Sequence, residues 1–107
     1  MDDESQVHVP ESFVDLYRSP GRLKLRAPRA DILERYGFCE DLAQLLTEHA
    51  KGMQFDLGIA ESDVLDRCHL GLQSHASGVD PNESVWVVRR LAELLDWTDP
   101  WASGGAA

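Results

Sequence analysis

The sequence lacks any long hydrophobic run. No stretch of about 18 apolar residues occurs, so no segment is predicted to cross a membrane. The first nine residues, MDDESQVHV, are acidic and lack the apolar core of a signal peptide. We therefore expect a small cytoplasmic protein with residues 1–9 disordered, residues 10–97 folded as one helical domain and residues 98–107 forming a flexible tail.

Basic residues are also scarce: 10 Lys and Arg against 19 Asp and Glu give a net charge of −9. This balance disfavours binding to nucleic acids or anionic membranes, because both need clustered positive charge. Half of the bases nevertheless lie within twelve residues, and they are Arg18, Arg22, Lys24, Arg26 and Arg29. The segment RLKLRAPR is predicted to be an extended connector. We expect Arg22, Lys24 and Arg26 to spread into solvent and present a positive edge to an acidic partner.

Cysteine is limited to Cys39 and Cys68, which both fall inside helical patterns and are expected to be reduced core thiols. Three histidines, His49, His69 and His75, complete the set of potential metal ligands. Neither C-x-x-C nor H-x-x-x-H spacing occurs, so no metal site is predicted. No G-x-x-x-x-G-K-[ST] phosphate loop occurs either, and no cofactor is predicted. A metal- or nucleotide-dependent enzyme that uses these Cys and His residues remains the alternative.

Helical periodicity dominates the rest of the chain. A short helix is predicted from Pro10 and is stopped by the turn Ser19-Pro20-Gly21. A second pattern runs from about Pro28 to Leu57, and Gly37 leaves open whether it bends. Its predicted core side consists of Phe38, Leu42, Leu45, Leu46, His49 and Met53. A third pattern, from Ala60 to about Gln73, has a stripe of Val64, Leu65, Cys68 and Leu72.

The last helical pattern, from Asp80 to about Trp97, is the most fully specified. Asp80 is a capping residue, Pro81 suits the first helical position, and Glu83 completes a capping box. Its apolar arc covers about half of the circumference, which predicts contact with two neighbouring elements. Because no credible pair of strands occurs, we predict an all-α fold: a small bundle of three main helices plus a short N-terminal helix.

Aromatic residues make up only 7% of the chain, yet three of them are tryptophans near its end. Trp86, Arg90, Glu93 and Trp97 follow the spacing i, i+4, i+7, i+11, and Trp101 is close in sequence. Trp and Arg are enriched at interaction hot spots, so these five residues are the predicted surface for a protein partner, with a second copy of the chain as another candidate. Burial within the chain is the competing interpretation, which we favour for Trp86 and weigh evenly for Trp97 and Trp101.

DNA recognition by a helix pair ending in VVRRLAELL is a further alternative. The helix offers only Arg89 and Arg90 to phosphates, and acidic residues flank them. The sequence therefore predicts a non-catalytic interaction domain in preference to a DNA-binding regulator.

The stretches FCEDLAQLLTEHA, RCHLGL and WVVRRLAELLDW resemble short uncharacterised proteins of proteobacteria, some of which are labelled "ATPase with chaperone activity". The resemblance covers residues 9–97. It implies a bacterial protein with nucleotide hydrolysis and chaperone function. Since the chain has no phosphate-binding loop, only the accessory or chaperone-like part of that description is carried over as an expectation.

Overall fold

The protein is all-α. A computed structural model describes residues 8–18 and 24–102, and the bounds of its helices are α1 Glu11–Val14, α2 Arg29–Leu57, α3 Glu61–Leu72 and α4 Pro81–Leu95. Short 3₁₀ turns follow α1 and α3, at Asp15–Tyr17 and His75–Ser77. The predicted fold class, a short N-terminal helix and three main helices, is confirmed. Within the described ranges no helix is long and apolar enough to cross a membrane.

The described residues group into two compact units, one ending at Phe38 and the other beginning at Cys39. In the first unit, Phe13 is fully buried, and its ring lies 5.6 Å from the ring centroids of both Tyr17 and Tyr36. An isolated antiparallel bridge joins Arg18 to Leu25. Of residues 1–9, which were predicted to be disordered, residues 1–7 lie outside the described residues.

The second helix, α2, runs without interruption through Gly37, which resolves the question that the sequence left open. It ends where the sequence predicted, because Gly58 has a φ of 61° and so takes the left-handed conformation that stops a helix. Its hydrophobic side is not the predicted one. Leu45 and His49 are exposed, and Phe38 is exposed as well, so that part of the prediction is wrong.

Between residues 39 and 57, the residues of α2 that are buried are small. Cys39, Ala43 and Ala50 are fully inaccessible to solvent and recur at spacings of four and seven residues. These residues occupy the interior although they are smaller and less hydrophobic than the exposed Leu45 and Phe55. Leu42, Leu46 and Met53 are half-buried, whereas Leu45 and Phe55 are exposed.

The third and fourth helices follow the sequence prediction closely. All four residues of the predicted α3 stripe are buried, and α3 packs against α4. At the start of α4, the Asp80 carboxylate accepts a hydrogen bond from the Glu83 N–H at 2.8 Å, and the Glu83 carboxylate accepts one from the Asp80 N–H at 3.0 Å. The predicted capping box is thus confirmed. Val87, Val88 and Leu91 of the predicted arc are fully buried.

Candidate protein-interaction surface

Trp86 is withdrawn from any partner surface, because only 7% of it is exposed. Trp97 is half-buried. It follows Asp96, whose φ of 60° ends α4, and its N–H donates to the carbonyl of Ala92 at 2.8 Å. The burial of Trp86 agrees with the favoured interpretation. Trp97 is partly buried and partly exposed to solvent.

Arg90 and Glu93, both predicted to bind a partner, are joined to each other and to Glu40. The Arg90 guanidinium donates from Nε and Nη2 to the two oxygens of Glu40, at 2.8 and 3.0 Å, and from Nη1 to Glu93 at 2.8 Å. Hydrogen bonding to Arg90 lowers the pKa of Glu40, and the same bonds raise the pKa of Arg90. The guanidinium therefore links α2 to α4 inside the second unit, a role that uses most of its donors.

Trp101 is held at the surface by the turn that follows α4. One oxygen of the Asp99 carboxylate accepts from the Trp101 N–H at 2.8 Å, and the other accepts from Nε of Arg89 at 2.8 Å. The Trp101 indole meets the His69 ring edge-to-face, with centroids 5.1 Å apart. Of the predicted flexible tail, residues 98–102 thus form an anchored turn with a partly exposed indole, while residues 103–107 lie outside the described residues.

The basic cluster is described in part, since Arg22 lies outside the described residues. Lys24 is exposed. Arg26 donates from its guanidinium to the carbonyl of Leu16 and lies 5.9 Å from the centroid of the Tyr17 ring. Arg26 therefore fastens the connector to the turn after α1 while remaining exposed, in place of the free extension into solvent that the sequence suggested.

The thiols and imidazoles do not converge. Cys39 and Cys68 are both free and buried, and desolvation raises the pKa of the Cys68 thiol, which makes it a poor nucleophile. His49 and His75 are exposed on different elements. Among the residues that the structure describes, no group of three or more His, Cys, Asp or Glu side chains is placed to hold a metal ion.

The second half of α2 carries a surface that the sequence reasoning missed. Phe55 is 87% exposed, Leu45 is 75% exposed and Leu57 is 53% exposed. A shallow groove of about 350 Å³ lies along the same segment. Its lining consists of Glu48, His49, Gly52, Met53, Asp56 and Leu57. We call Leu45, Phe55 and this lining the α2 stripe.

One sequence signal indicates the α2 stripe in retrospect. Apolar residues occur on both sides of α2, and between residues 39 and 57 the side at Cys39, Ala43 and Ala50 buries only small residues. A helix with two apolar sides buries the one that allows the closer approach. The remaining side then exposes larger residues, which in a globular protein is typical of a binding surface.

No protein-family model matches the sequence, and no curated protein or solved structure matches it either. The resemblance to proteobacterial proteins labelled "ATPase with chaperone activity" stays a prediction. The α2 stripe presents exposed aromatic and aliphatic side chains with acidic groups beside them.

Proposed function

We propose that this chain is a small, acidic, non-catalytic protein-interaction domain of the bacterial cytoplasm, acting as an adaptor or chaperone-like accessory protein. The observation that carries the proposal is that the second half of α2 buries small side chains and exposes large apolar ones. Between residues 39 and 57 the buried residues are Cys39, Ala43 and Ala50, while Leu45 and Phe55 are the most exposed apolar residues. Removing a Phe side chain from water is worth about 1.5–3 kcal/mol, so a protein partner gains substantially by covering these residues.

Two further observations support an interaction role. Asp99 anchors the turn that carries Trp101, so this indole is already ordered before a partner arrives and loses little conformational freedom on binding. Both thiols, the strongest nucleophiles in the chain, are buried. Of the other candidate residues, Trp101 and Lys24 are exposed and Trp97 is half-buried.

Site-specific photo-crosslinking in the native host tests this proposal. A benzophenone amino acid is placed at Phe55, and a matched control places it at Asp66, an exposed polar position on α3. We expect irradiation to join position 55 to a defined protein, identified by mass spectrometry, at a yield well above that of position 66. Equal or absent crosslinking at the two positions would contradict the proposal.

A further inference from the structure

Three residues of the α2 stripe share one face of the helix. Leu45, Gly52 and Phe55 lie within about 80° of the circumference and span about 15 Å, given 100° and 1.5 Å per residue. Nothing lies within 4 Å of the position that a Gly52 Cβ would take. The centre of the face is therefore open between two exposed apolar side chains, a shape that accepts a side chain from an apposed helix.

Acidic groups lie on the same side of the helix as Leu45 and Phe55. Asp41 precedes Leu45 by one helical turn, Glu48 lines the groove beside it, and Asp56 lines its far end. The single base in this part of the helix, Lys51, is ion-paired with Glu48 at 3.0 Å. The α2 stripe thus combines exposed apolar side chains with carboxylates that lie among and beside them.

The surrounding unit has the same sign. Residues 39–107 contain twelve acidic and four basic residues, a net charge of −8. A second copy docked on the α2 stripe would bring two such charges together, and the repulsion opposes the contact. An anionic membrane is disfavoured on the same ground. A partner that carries positive charge beside an apolar face is attracted by the negative charge of this unit and can also cover the exposed apolar side chains.

We propose that the α2 stripe binds a cationic amphipathic helix of a partner protein, with its apolar side on Leu45, Phe55 and the space above Gly52, and its Lys or Arg residues opposite Asp41, Glu48 and Asp56. This inference rests on the proposed function and adds the chemical class of the partner. The partner helix needs about three turns to cover the face.

The experiment uses a fluorescein-labelled peptide of about four helical turns, built from Leu and Lys in helical spacing, and measures its affinity for the full chain by fluorescence anisotropy. Two peptides of equal length serve as controls: one has the same composition in scrambled order, and one has Glu in place of every Lys. We expect the ordered cationic peptide to bind more tightly than either, by about tenfold or more, and its affinity to fall as salt is added.

Substitutions in the protein test whether the peptide binds at the α2 stripe. The double substitution Leu45→Ser with Phe55→Ser should weaken peptide binding by about tenfold or more. The matched control is Leu70→Ser, at an exposed leucine of α3 that is 70% accessible, and it should change the peptide affinity by less than about twofold. The double substitution Asp41→Asn with Asp56→Asn should weaken peptide binding by about threefold or more. The same change of net charge at Asp63 and Asp66 should have a smaller effect, because these carboxylates lie on α3 and do not line the groove.

Several outcomes would overturn the inference. They are failure of the peptide to bind, equal binding of either control peptide, insensitivity to the Leu45 and Phe55 substitutions, and a dimer of the wild-type chain that Phe55→Ser dissociates. Crosslinking at position 55 together with failure of the peptide would leave the proposed function standing and reject only this partner class. Absence of crosslinking would reject the function itself.

Discussion

Two hydrogen bonds join the guanidinium of Arg90 to the carboxylate of Glu40 across fifty residues of chain. Both side chains are largely withdrawn from solvent, so removal of one leaves the other poorly solvated. We expect Glu40→Gln to lower the free energy of unfolding by about 1–2 kcal/mol at neutral pH, as measured by urea denaturation. The exposed pair of Glu48 and Lys51 is the matched control, and Glu48→Gln should cost less than about 0.5 kcal/mol.

The ion pair between Glu40 and Arg90 should also make the stability of the protein depend on pH. Hydrogen bonding to Arg90 places the pKa of Glu40 in the folded protein below its ordinary value. The Glu40 carboxylate therefore makes its full contribution to the free energy of unfolding at pH values above the ordinary pKa of glutamate. This contribution is lost as the pH falls through the lowered pKa of Glu40 in the folded protein. The difference in unfolding free energy between wild type and Glu40→Gln should shrink in acid. A difference that stays constant from neutral to acidic pH would show that Glu40 is not stabilised as a carboxylate.

At the scale of single elements, two glycines of the α2 region predict opposite responses to alanine. Gly52 lies inside α2 with open space around its Cα, so Gly52→Ala should raise the unfolding free energy by up to about 1 kcal/mol. Gly58 has a φ of 61°, a conformation that costs an alanine about 1 kcal/mol or more, so Gly58→Ala should be destabilising. Thermal unfolding followed by circular dichroism measures both, and a destabilising Gly52→Ala would show that the space above it is occupied.

The elements differ in how far their sequences predict them. The stripe of α3 and the capping box of α4 were correct because each depends on residues within a few turns of one helix. The face of α2 was assigned wrongly, since hydrophobicity favours Leu45 over Ala43 while close packing favours the smaller side chain. The partners of Arg90 and Trp101 could not be predicted, because Glu40 and His69 come near them only through tertiary packing.

At the scale of the whole molecule, the structure separates leucines that hold the fold together from leucines that do not. Leu91 is fully buried in α4, and Leu91→Ala should cost about 2–5 kcal/mol through lost burial and the cavity left behind. Leu45→Ala should change the unfolding free energy by less than about 0.5 kcal/mol, because Leu45 is exposed. Chemical denaturation compares the two, and a large loss for Leu45→Ala would mean that the α2 stripe belongs to the core.

The exposed phenyl ring of Phe55 also has a consequence for solubility. At neutral pH the charge of −9 keeps separate molecules apart, but near pH 4.7, the isoelectric point of the sequence, this repulsion disappears. Apolar faces that carry Phe55 and Leu45 can then meet, so the protein should precipitate in a narrow interval around that pH. Phe55→Ser leaves the isoelectric point unchanged, and light scattering during an acid titration should therefore show weaker precipitation at the same pH.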